Sequence, residues 1–406
     1  MRLDLVQTVA LAGVLLFAGY GLKRAVPVLG RYNIPAPVAG GLPVAGLLAV
    51  LFLVWAVQPL QFDTTLQVPL QNAFFSSVGF GASVLVLKRG GPLVLAMMVL
   101  ATIVAALQNV VGAGVAMLLG QHPLMGVLAG SVTLTGGPAT GLAFADDFLA
   151  AGVAGAPTLA VAAAMVGIVG GGLIGGPIGT YLLTRHPRPI GPQAAEGPLA
   201  GLAESRFPEP LAATPAGEDA EAYALVKHLV VMLAAVGAGV WVSAGLSALG
   251  ATLPAYIGAM IFAAVLRNLD DVTGWIGMSQ RTIDDLGTVA LSLFLVMALM
   301  TLRLWEIAGV VVPLLVILAV QVALVAVISV FVVPRLMGRD YDAIVMAGGF
   351  AGFMLGTTAN AMANMNALVE RYGPAPNAYL AVPLVGAFGI DFVNALLITG
   401  ALNLWQ

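Results

Sequence analysis

Cysteine is absent from this 406-residue chain, and charged residues make up only 9 % of it. Without cysteine the chain has no disulfide framework, no thiolate nucleophile and no cysteine-ligated metal. A soluble globular protein carries about 25 % charged residues, so this chain has too few charges to cover a water-facing surface of its size. Since 60 % of its residues are hydrophobic, the composition indicates a polytopic membrane protein.

Histidine is scarce and the net charge is small. His122, His186 and His228 fall at expected helix ends or in a polar segment, which argues against a histidine-based centre inside the membrane. The net charge of −3 gives no sign of nucleic acid or of another strongly charged partner. The sequence also lacks a Ser–His–Asp set, an HExxH motif, a phosphate-binding glycine loop and an ATP-binding domain. We therefore expect no enzyme, and any transport by this chain would be driven by an ion gradient and not by ATP.

Long apolar runs are what the chain has in abundance. Stretches of about 20 apolar residues are long enough to span a bilayer as a helix. The ten expected spans are residues 4–22, 36–57, 69–87, 92–119 and 157–183, then 223–249, 254–268, 286–302, 307–334 and 378–402. We interpret the first run as a span and not as a signal peptide, because it has no basic region beyond Arg2 and no persuasive cleavage site.

One polar segment, residues 184–222, separates five spans from the other five. It is rich in proline, alanine and acidic residues and has no apolar periodicity, which predicts a flexible linker. The sequence therefore divides into a first half, residues 1–183, and a second half, residues 223–406.

Two further apolar stretches, residues 123–148 and 342–367, do not fit a single straight helix. Their centres are dense in glycine, threonine, alanine and asparagine. A broken backbone is tolerated at membrane depth only where it is buried in protein or lines a cavity. Each stretch is therefore predicted to be a re-entrant hairpin, which enters the membrane and leaves on the same side.

The two halves resemble each other. NIPAPVAGGL (33–42) pairs with TLPAYIGAMI (252–261) at an offset of 219, and VLAGSVTLTGGPAT (127–140) pairs with VMAGGFAGFMLGTTAN (345–360) at 219 to 220. One offset shared by two separated segments predicts an internal repeat of five spans plus one hairpin. Because five is odd, the second copy is expected to be inverted.

Positive charge supports this topology. With the N-terminus outside, fourteen of the sixteen basic residues fall in inner loops, and only Arg2 and Arg303 remain outside. Both termini are then outside and the linker is cytoplasmic. The first hairpin enters from outside and the second from inside, which is the arrangement of a secondary transporter with inverted repeats.

The first candidate site is the tip of the first hairpin, LTGGPATG (134–141). Glycines permit turns that other residues resist, and proline cannot donate a backbone hydrogen bond. A helix broken here exposes N–H groups that attract an anion and carbonyl groups that coordinate a cation such as Na+. The expected substrate ligands are Thr135, Gly136, Gly137 and Thr140, and the expected Na+ ligand is Thr133. The alternative is a kinked helix packed through small residues.

The second candidate site is the matching tip of the second hairpin. Its expected substrate ligands are Thr357, Thr358, Asn360 and Asn364, and its expected Na+ ligand is Gly356. The two asparagines are four residues apart and share a helix face, so both amides could point into one cavity. Hydrogen bonding between helices is the alternative role.

Asp391 is the most informative single residue, because it lies deep in the last expected span. A carboxylate at that depth is costly and marks a substrate or ion path. It is expected to bind a substrate ammonium or Na+, or to carry a proton; a neutral, hydrogen-bonded structural acid is the alternative. Asn394 follows almost one turn later as a substrate ligand. Gln108 and Asn109 fit a Na+ site or hydrogen bonding between helices equally well.

With these residues in view, the chain resembles the bacterial sodium/glutamate symporter family. The matching motifs run in order along nearly the whole chain and leave only the linker unmatched. They are IPAPVAGGL (34–42), QNVVGAG (108–114), PLMGVLAGSVTLTGG (123–137), GGLIGGPIG (171–179), LSLFLVMALMTLRLWE (291–306), GTTANAMANM (356–365), ERYGP (370–374) and VPLVGAFGIDFVNAL (382–396).

The resemblance implies Na+-coupled uptake of L-glutamate across the bacterial cytoplasmic (inner) membrane, ten spans with two re-entrant loops, and a homodimer. It also implies an elevator-type transporter, in which a mobile transport domain slides against a static dimer scaffold. Na+ is then the coupling ion, membrane lipid surrounds the protein, and no organic cofactor is expected.

The first hairpin departs from the family pattern. Where the family's loop commonly reads Gly-Gly-His-Gly-Thr, this chain has Gly136-Gly137-Pro138-Ala139-Thr140. Since proline replaces a titratable donor, an ion-coupled (Na+ or H+) carrier of another small anion, such as a dicarboxylate or hydroxycarboxylate, is the alternative. An intramembrane enzyme would need paired acids or a nucleophile–base set, and a passive channel would lack saturable, gradient-dependent uptake.

Overall fold

The computed structural model describes residues 2–55, 60–89, 91–185, 220–248 and 254–405. Over these residues the chain is α-helical, with no named strand and a single isolated bridge between Arg2 and Gln61. The expected linker falls almost entirely outside the described residues, and its two ends continue the helices that flank it.

Nineteen α-helices follow one another along the described chain. They are α1 (Leu5–Ala25), α2 (Pro27–Arg31), α3 (Ala36–Trp55), α4 (Gln67–Gly81), α5 (Val84–Arg89), α6 (Gly91–Leu118), α7 (Pro123–Val127), α8 (Gly137–Ala143), α9 (Ala145–Ala150), α10 (Ala156–Arg185), α11 (Ala220–Ala248), α12 (Ala255–Thr273), α13 (Gln280–Met300), α14 (Val311–Phe331), α15 (Val333–Leu336), α16 (Tyr341–Leu355), α17 (Thr358–Tyr372), α18 (Pro376–Leu384) and α19 (Ile390–Trp405). A 3₁₀ turn (Leu304–Val310) precedes α14, and π-helical turns follow α7 (Leu128–Val132) and α18 (Val385–Gly389).

Seven helices of the described chain are long and apolar enough to cross a membrane. They are α1, α3, α6, α10, the Ala222–Leu246 part of α11, α13, and α14 continued by α15 to Leu336. A helix of about 20 residues matches the thickness of the hydrocarbon core. The chain is therefore a multi-pass membrane protein, and seven of the ten expected spans are found as long apolar helices.

The other three expected spans are shorter or interrupted helices. Residues 69–87 fall on α4 and α5, separated by two residues that include Ser83, whose hydroxyl donates a hydrogen bond of 2.5 Å to Asp271. Residues 254–268 form α12, whose end is charged, and residues 378–402 form α18 and α19 with a π-helical turn between them. Hydropathy counts apolar residues and does not register these breaks in the helical backbone.

The chain folds into two compact units, and each takes helices from both halves of the sequence. Unit 1 consists of Met1–Ala25, Pro35–Val86 and Phe207–Leu302, and it contains α1, α3, α4, α11, α12 and α13. Unit 2 consists of Val26–Ile34, Leu87–Arg206 and Arg303–Gln406, and it contains α2, α6 to α10 and α14 to α19. Every predicted site residue lies in unit 2.

Two apolar clusters hold unit 1 together. The first contains Phe80 of α4, Met232 and Ala235 of α11, Ala263 of α12 and Ile283 of α13. The second joins α1 to the C-terminal half of α13. Because lipid tails are as apolar as these side chains, close packing and not escape from water selects the contacts.

Unit 2 contains the two interrupted segments. In the first, α7 continues into a π-helical turn in which Gly130 has non-helical backbone angles (φ −102°, ψ −128°). The chain then turns at Gly137, whose φ of +68° is a left-handed value that favours glycine. In the second, α16 ends at Leu355, and Gly356 and Thr357 separate it from α17. Each segment is thus a pair of helices joined by a non-helical break.

Helix α10 packs against the second segment through a stripe of glycines. Glycine recurs every four residues from Gly167 to Gly179, so these positions share one helix face. A Cβ on Gly171 would lie 3.1 Å from a carbonyl oxygen of α16, and one on Gly175 would overlap the amide of Asn364. The missing side chains therefore let α10 approach α16 and α17 closely.

Candidate substrate and ion site

The tips of the two interrupted segments meet. A Cβ built on Gly137 would lie 3.7 Å from the carbonyl oxygen of Gly356. The hydroxyl of Thr135 lies 4.0 Å from the sulfur of Met354. Each of these contacts joins residues 219 positions apart, which is the offset between the two similar halves of the sequence.

Gln108 of α6 connects both tips. The side chain is fully buried. Its Oε1 accepts a hydrogen bond of 2.7 Å from the Thr135 hydroxyl, and its Nε2 donates one of 2.9 Å to the Met354 carbonyl. Because one bond needs the amide oxygen and the other needs the nitrogen, the pair fixes the orientation of the amide. Gln108 therefore holds both tips against α6.

Ser131, at the break in the first segment, joins α6 to α19. Its backbone N–H and its hydroxyl both donate to Oδ1 of Asn109, over 3.2 and 2.8 Å. Its carbonyl accepts a hydrogen bond of 2.9 Å from Nδ2 of Asn394. The Ser131 N–H and hydroxyl are thus satisfied by Asn109, whereas the Ser131 carbonyl accepts from the backbone N–H groups of Thr135 and Gly136 as well as from Asn394.

Two threonines of the first tip are turned inward. Thr133 is buried, and its hydroxyl donates a hydrogen bond of 2.7 Å to the Leu128 carbonyl, while the hydroxyl oxygen keeps a lone pair for another partner. Thr140 is buried in α8, and a Cβ built on Gly136 would lie 2.5 Å from the Cβ of Thr140. Of the first-tip residues, Thr135 and Gly137 are therefore the ones that face the second tip.

The second tip presents the N-terminus of α17. Thr357 caps this helix, because its hydroxyl accepts a hydrogen bond of 3.4 Å from the Asn360 N–H. Thr358 lies beside the π-helical turn before α19, where a Cβ on Gly386 would be 3.2 Å from the threonine hydroxyl. The first turn of a helix carries N–H groups without intrahelical partners, so this tip is suited to an anionic group.

Asn360 and Asn364 lie on one face of α17, and both amide nitrogens bond across to α10. Nδ2 of Asn360 donates to the Ile168 carbonyl over 2.6 Å, and Nδ2 of Asn364 donates to the Gly171 carbonyl over 2.9 Å. Hydrogen bonding between helices is thus a role that both side chains fill. Oδ1 of Asn360 is buried and has no hydrogen-bond donor in the described part of the chain.

Asp391 lies in the first turn of α19, directly after the π-helical turn, and its side chain is partly buried. Among the described residues, none donates a hydrogen bond to its carboxylate and no basic side chain pairs with it. Asn394 follows three residues later on the same helix, so the two side chains lie on neighbouring positions of one face. An acid without a protein partner is available to a cation or a substrate ammonium.

The structure joins six of the fourteen predicted residues in one region of unit 2. Gln108, Asn109, Thr135, Gly137, Gly356 and Asn394 are joined by the contacts described above. Lysine and arginine are absent from the described helices α6, α8, α14 and α19 that carry this region. Carboxylates of a substrate would therefore meet hydroxyls, amides and backbone N–H groups.

Sequence reasoning missed three groups at this site: Ser131, the Met354 carbonyl and Gln321. Gln321 of α14 is fully buried, and its Nε2 donates a hydrogen bond of 2.6 Å to the Gln108 carbonyl. The sequence does single out Gln321, because it is the one side-chain amide in the 21-residue helix α14. A backbone carbonyl such as that of Met354 leaves no such signal.

Known proteins resemble this chain over nearly its full length. Residues 1–374 match the family described as sodium/glutamate symporter. The sodium/glutamate symporters of Escherichia coli (strain K12) and Shigella flexneri are each 40 % identical to it over 401 residues, covering 98 % of this chain and 97 % of theirs. That of Haemophilus influenzae (strain ATCC 51907 / DSM 11121 / KW20 / Rd) is 38 % identical over 397 residues, covering 97 % and 95 %. No solved structure matches the chain significantly. The chain belongs to the sodium/glutamate symporter family.

Proposed function

We propose that this protein is a secondary active transporter, which couples the uptake of L-glutamate to the inward movement of Na+ across the bacterial cytoplasmic membrane. The observation that carries the proposal is its identity of 38–40 % with three sodium/glutamate symporters over nearly the full length of both chains. Symport moves solutes without changing them, so the proposal includes no enzymatic reaction. Na+ is the coupling ion, and the transport step uses no organic cofactor.

The protein consists of two inverted-topology repeats, residues 1–183 and 223–406. Helix order supports this, since α12 begins 219 positions after α3 and α14 begins 220 positions after α6. Both termini lie outside and the linker, residues 184–222, lies in the cytoplasm, because this topology puts fourteen of sixteen basic residues inside.

The segments 123–148 and 342–367 are re-entrant hairpins, the first from outside and the second from inside. Each consists of two helices joined by a break, and their tips contact each other, as two hairpins that reach the same depth from opposite faces would. Secondary transporters with inverted repeats bind substrate near the midplane at such breaks.

Glutamate binds between the two tips. Its ligands are Thr135, Gly136, Gly137, Thr140, Thr357, Thr358, Asn360, Asn364, Asp391 and Asn394. Its carboxylates meet threonine hydroxyls and the N–H groups at the start of α17, because helices α6, α8, α14 and α19 carry no lysine or arginine. Asp391 meets the α-ammonium group or a Na+ ion, since its carboxylate has no partner among the described residues.

Na+ binds to oxygen atoms of α6, of the two tips and of α19. The ligands are Thr133, Gln108, Asn109, Gly356 and Asp391. Hard cations take carboxylate, amide and carbonyl oxygens as ligands, and discontinuous helices of transporters supply such carbonyls to Na+.

The transport cycle is of the elevator type, and the protein forms a homodimer, as the family resemblance implies. The moving body contains the span before each hairpin, both hairpins and the last span of each half. Unit 2 is a compact unit that contains these same segments, which supports the assignment. Unit 1 is the static scaffold.

Uptake of labelled L-glutamate into proteoliposomes with an inward Na+ gradient tests the function. We expect accumulation against the glutamate gradient, and no accumulation when choline or K+ replaces external Na+. Failure to accumulate glutamate under the Na+ gradient would overturn the proposal.

A second candidate function follows from Pro138 and Ala139, which stand where the family's loop commonly has histidine and glycine. An ion-coupled carrier of a dicarboxylate or hydroxycarboxylate would use the same tips for a different anion. A panel of unlabelled acids in the uptake assay separates the two: L-glutamate alone should compete if the first proposal holds, and malate or citrate should compete if the second holds. An uncoupler that abolishes uptake at a constant Na+ gradient would indicate H+ as the coupling ion.

A further inference from the structure

Two buried amide oxygens without hydrogen-bond donors flank the break in the first interrupted segment. They are Oε1 of Gln321 and Oδ1 of Asn394, and neither has a partner in the described part of the chain. Both side chains are fully buried. Buried polar atoms are nearly always satisfied, and an orphaned one costs about 1–3 kcal/mol, so two at one place indicate a missing ligand.

The Gln321 amide lies against the break itself. Its Nε2 donates a hydrogen bond of 2.6 Å to the Gln108 carbonyl, and a Cβ built on Gly130 would be 3.3 Å from the same nitrogen. Exchange of the amide oxygen and nitrogen would set two oxygens against each other, so the bond to Gln108 fixes which atom is left free. The free atom is an acceptor.

Asn394 approaches the neighbouring residue from α19. Its Nδ2 donates to the carbonyl of Ser131, the residue after Gly130. The same reasoning leaves its Oδ1 as the free atom. Since the oxygen and nitrogen of an amide share one carbon, each free oxygen lies one amide width from the nitrogen that bonds at this break.

The chemistry of these groups selects a cation. Amide oxygens accept hydrogen bonds and coordinate metal ions, but they repel a carboxylate, which rules out the anionic groups of a substrate here. The carboxylate of Asp391 lies one turn before Asn394 on α19 and supplies a negative charge without a protein partner in the described chain. Interrupted helices in transporters bind Na+ through their unwound backbone carbonyls, which amide oxygens can supplement.

We propose that Gln321 and Asn394 provide two amide oxygens of a Na+ site at the Gly130–Ser131 break. The inference deepens the proposed transport function and rests on it, because the bound ion is the coupling ion. It assigns an ion-binding role to Gln321 and moves Asn394 from the substrate to the ion.

Na+-dependent thermal unfolding of the purified full-length protein tests the site. NaCl is titrated against choline chloride at constant ionic strength, and the Na+ concentration that gives half of the stabilisation is measured for each variant. We expect Gln321→Leu and Asn394→Leu each to raise this concentration by about tenfold or more, in line with the effect of losing groups that support a metal site. Binding of radioactive Na+ provides a second measurement.

Ser329→Ala is the matched control. Ser329 lies two turns after Gln321 on α14, and its buried hydroxyl also has no partner among the described residues. If the orphaned amides mark a Na+ site, the Na+ concentration that gives half of the stabilisation (the Na+ midpoint) stays at the wild-type value in Ser329→Ala. If Gln321→Leu fails to fold, Gln321→Asn can replace it, because this variant keeps the amide but withdraws it by one carbon. We expect an intermediate rise in its Na+ midpoint.

Unchanged Na+ midpoints in Gln321→Leu and Gln321→Asn overturn the inference while the transport function stands. A wild-type protein that neither binds Na+ nor accumulates glutamate under a Na+ gradient overturns the transport function and this site together.

Discussion

Gln108 and Thr135 share a hydrogen bond of 2.7 Å, which joins α6 to the tip of the first interrupted segment. The same amide donates to the Met354 carbonyl at the tip of the second segment. The Gln108 side chain can therefore make both hydrogen bonds only when both tips are in place, and each tip is held to α6 by one of them.

Gln108→Leu should impair transport more than it impairs folding. The substitution leaves the Thr135 hydroxyl without its acceptor and the Met354 carbonyl without its donor, at a cost of about 1–3 kcal/mol for each buried group. We expect a lower unfolding temperature and a fall of about tenfold or more in the rate of Na+-driven glutamate uptake per folded protein, comparable to a loss of about 1.4 kcal/mol of transition-state stabilisation. Thr102→Val is the control on the same helix, because the Thr102 hydroxyl donates only to the Met98 carbonyl one turn away. Equal effects of the two variants would contradict the bridging role.

Asp391→Asn should uncouple uptake from the Na+ gradient. The substitution keeps the size of the side chain but removes the charge that attracts Na+ or the substrate ammonium. We expect labelled glutamate to stop accumulating in proteoliposomes, with the protein still folded by size-exclusion chromatography. Asp285→Asn, an exposed acid of α13 in unit 1, should leave uptake unchanged. Full coupled uptake by Asp391→Asn would remove the role assigned to this residue.

Gly175→Ala should destabilise unit 2, whereas the neighbouring Gly176→Ala should not. A Cβ on Gly175 would overlap the Asn364 amide, and one on Gly176 would meet nothing within 4 Å. Overpacking costs about 1–3 kcal/mol, while alanine in an open helical position gains up to about 1 kcal/mol over glycine. Unfolding temperatures in one detergent compare the two. Similar temperatures for both variants would mean that α10 does not contact α17 through this stripe.

The proposed topology predicts which loops are accessible from each side of the membrane. Because the chain contains no cysteine, single cysteines can be introduced without a background. Thr64→Cys, in the loop after α3, should react with a membrane-impermeant thiol reagent on intact cells from outside. Val272→Cys, near the end of α12, is 86 % exposed and should react only after the cells are opened. Labelling of both positions on intact cells would contradict the orientation.

The breaks in the two segments could be predicted from the sequence because they depend on local backbone chemistry. Gly137 adopts a left-handed conformation that glycine favours, and Gly356 follows the last residue of α16, where a run of small residues begins. The spacing of Asn360 and Asn364 also placed both on one face of α17. The local sequence could not predict their hydrogen-bond partners, because these are carbonyl groups of α10, which is distant in the chain.

The partners across the site could not be predicted, because they come from packing between distant helices. Gln321 bonds to the Gln108 carbonyl across 213 positions, and Asn394 bonds to Ser131 across 263. Hydropathy alone also predicted too many continuous spans. Residues 69–87 look like one apolar run, yet a break at Ala82 and Ser83 separates α4 from α5, and Ser83 bonds to the distant Asp271.

The division of each unit between the two halves of the chain constrains the synthesis of the protein. When residues 1–183 have been made, Phe80 still lacks Met232, Ala263 and Ile283, which complete its cluster in unit 1. The glycine face of α10 likewise lacks its packing partners α16 and α17 at that stage. Neither unit can therefore be completed before the ribosome has delivered the second half, although helices of the first half such as α1 and α3 already pack against each other. Two halves made as separate chains in the same cell should then associate and restore both units.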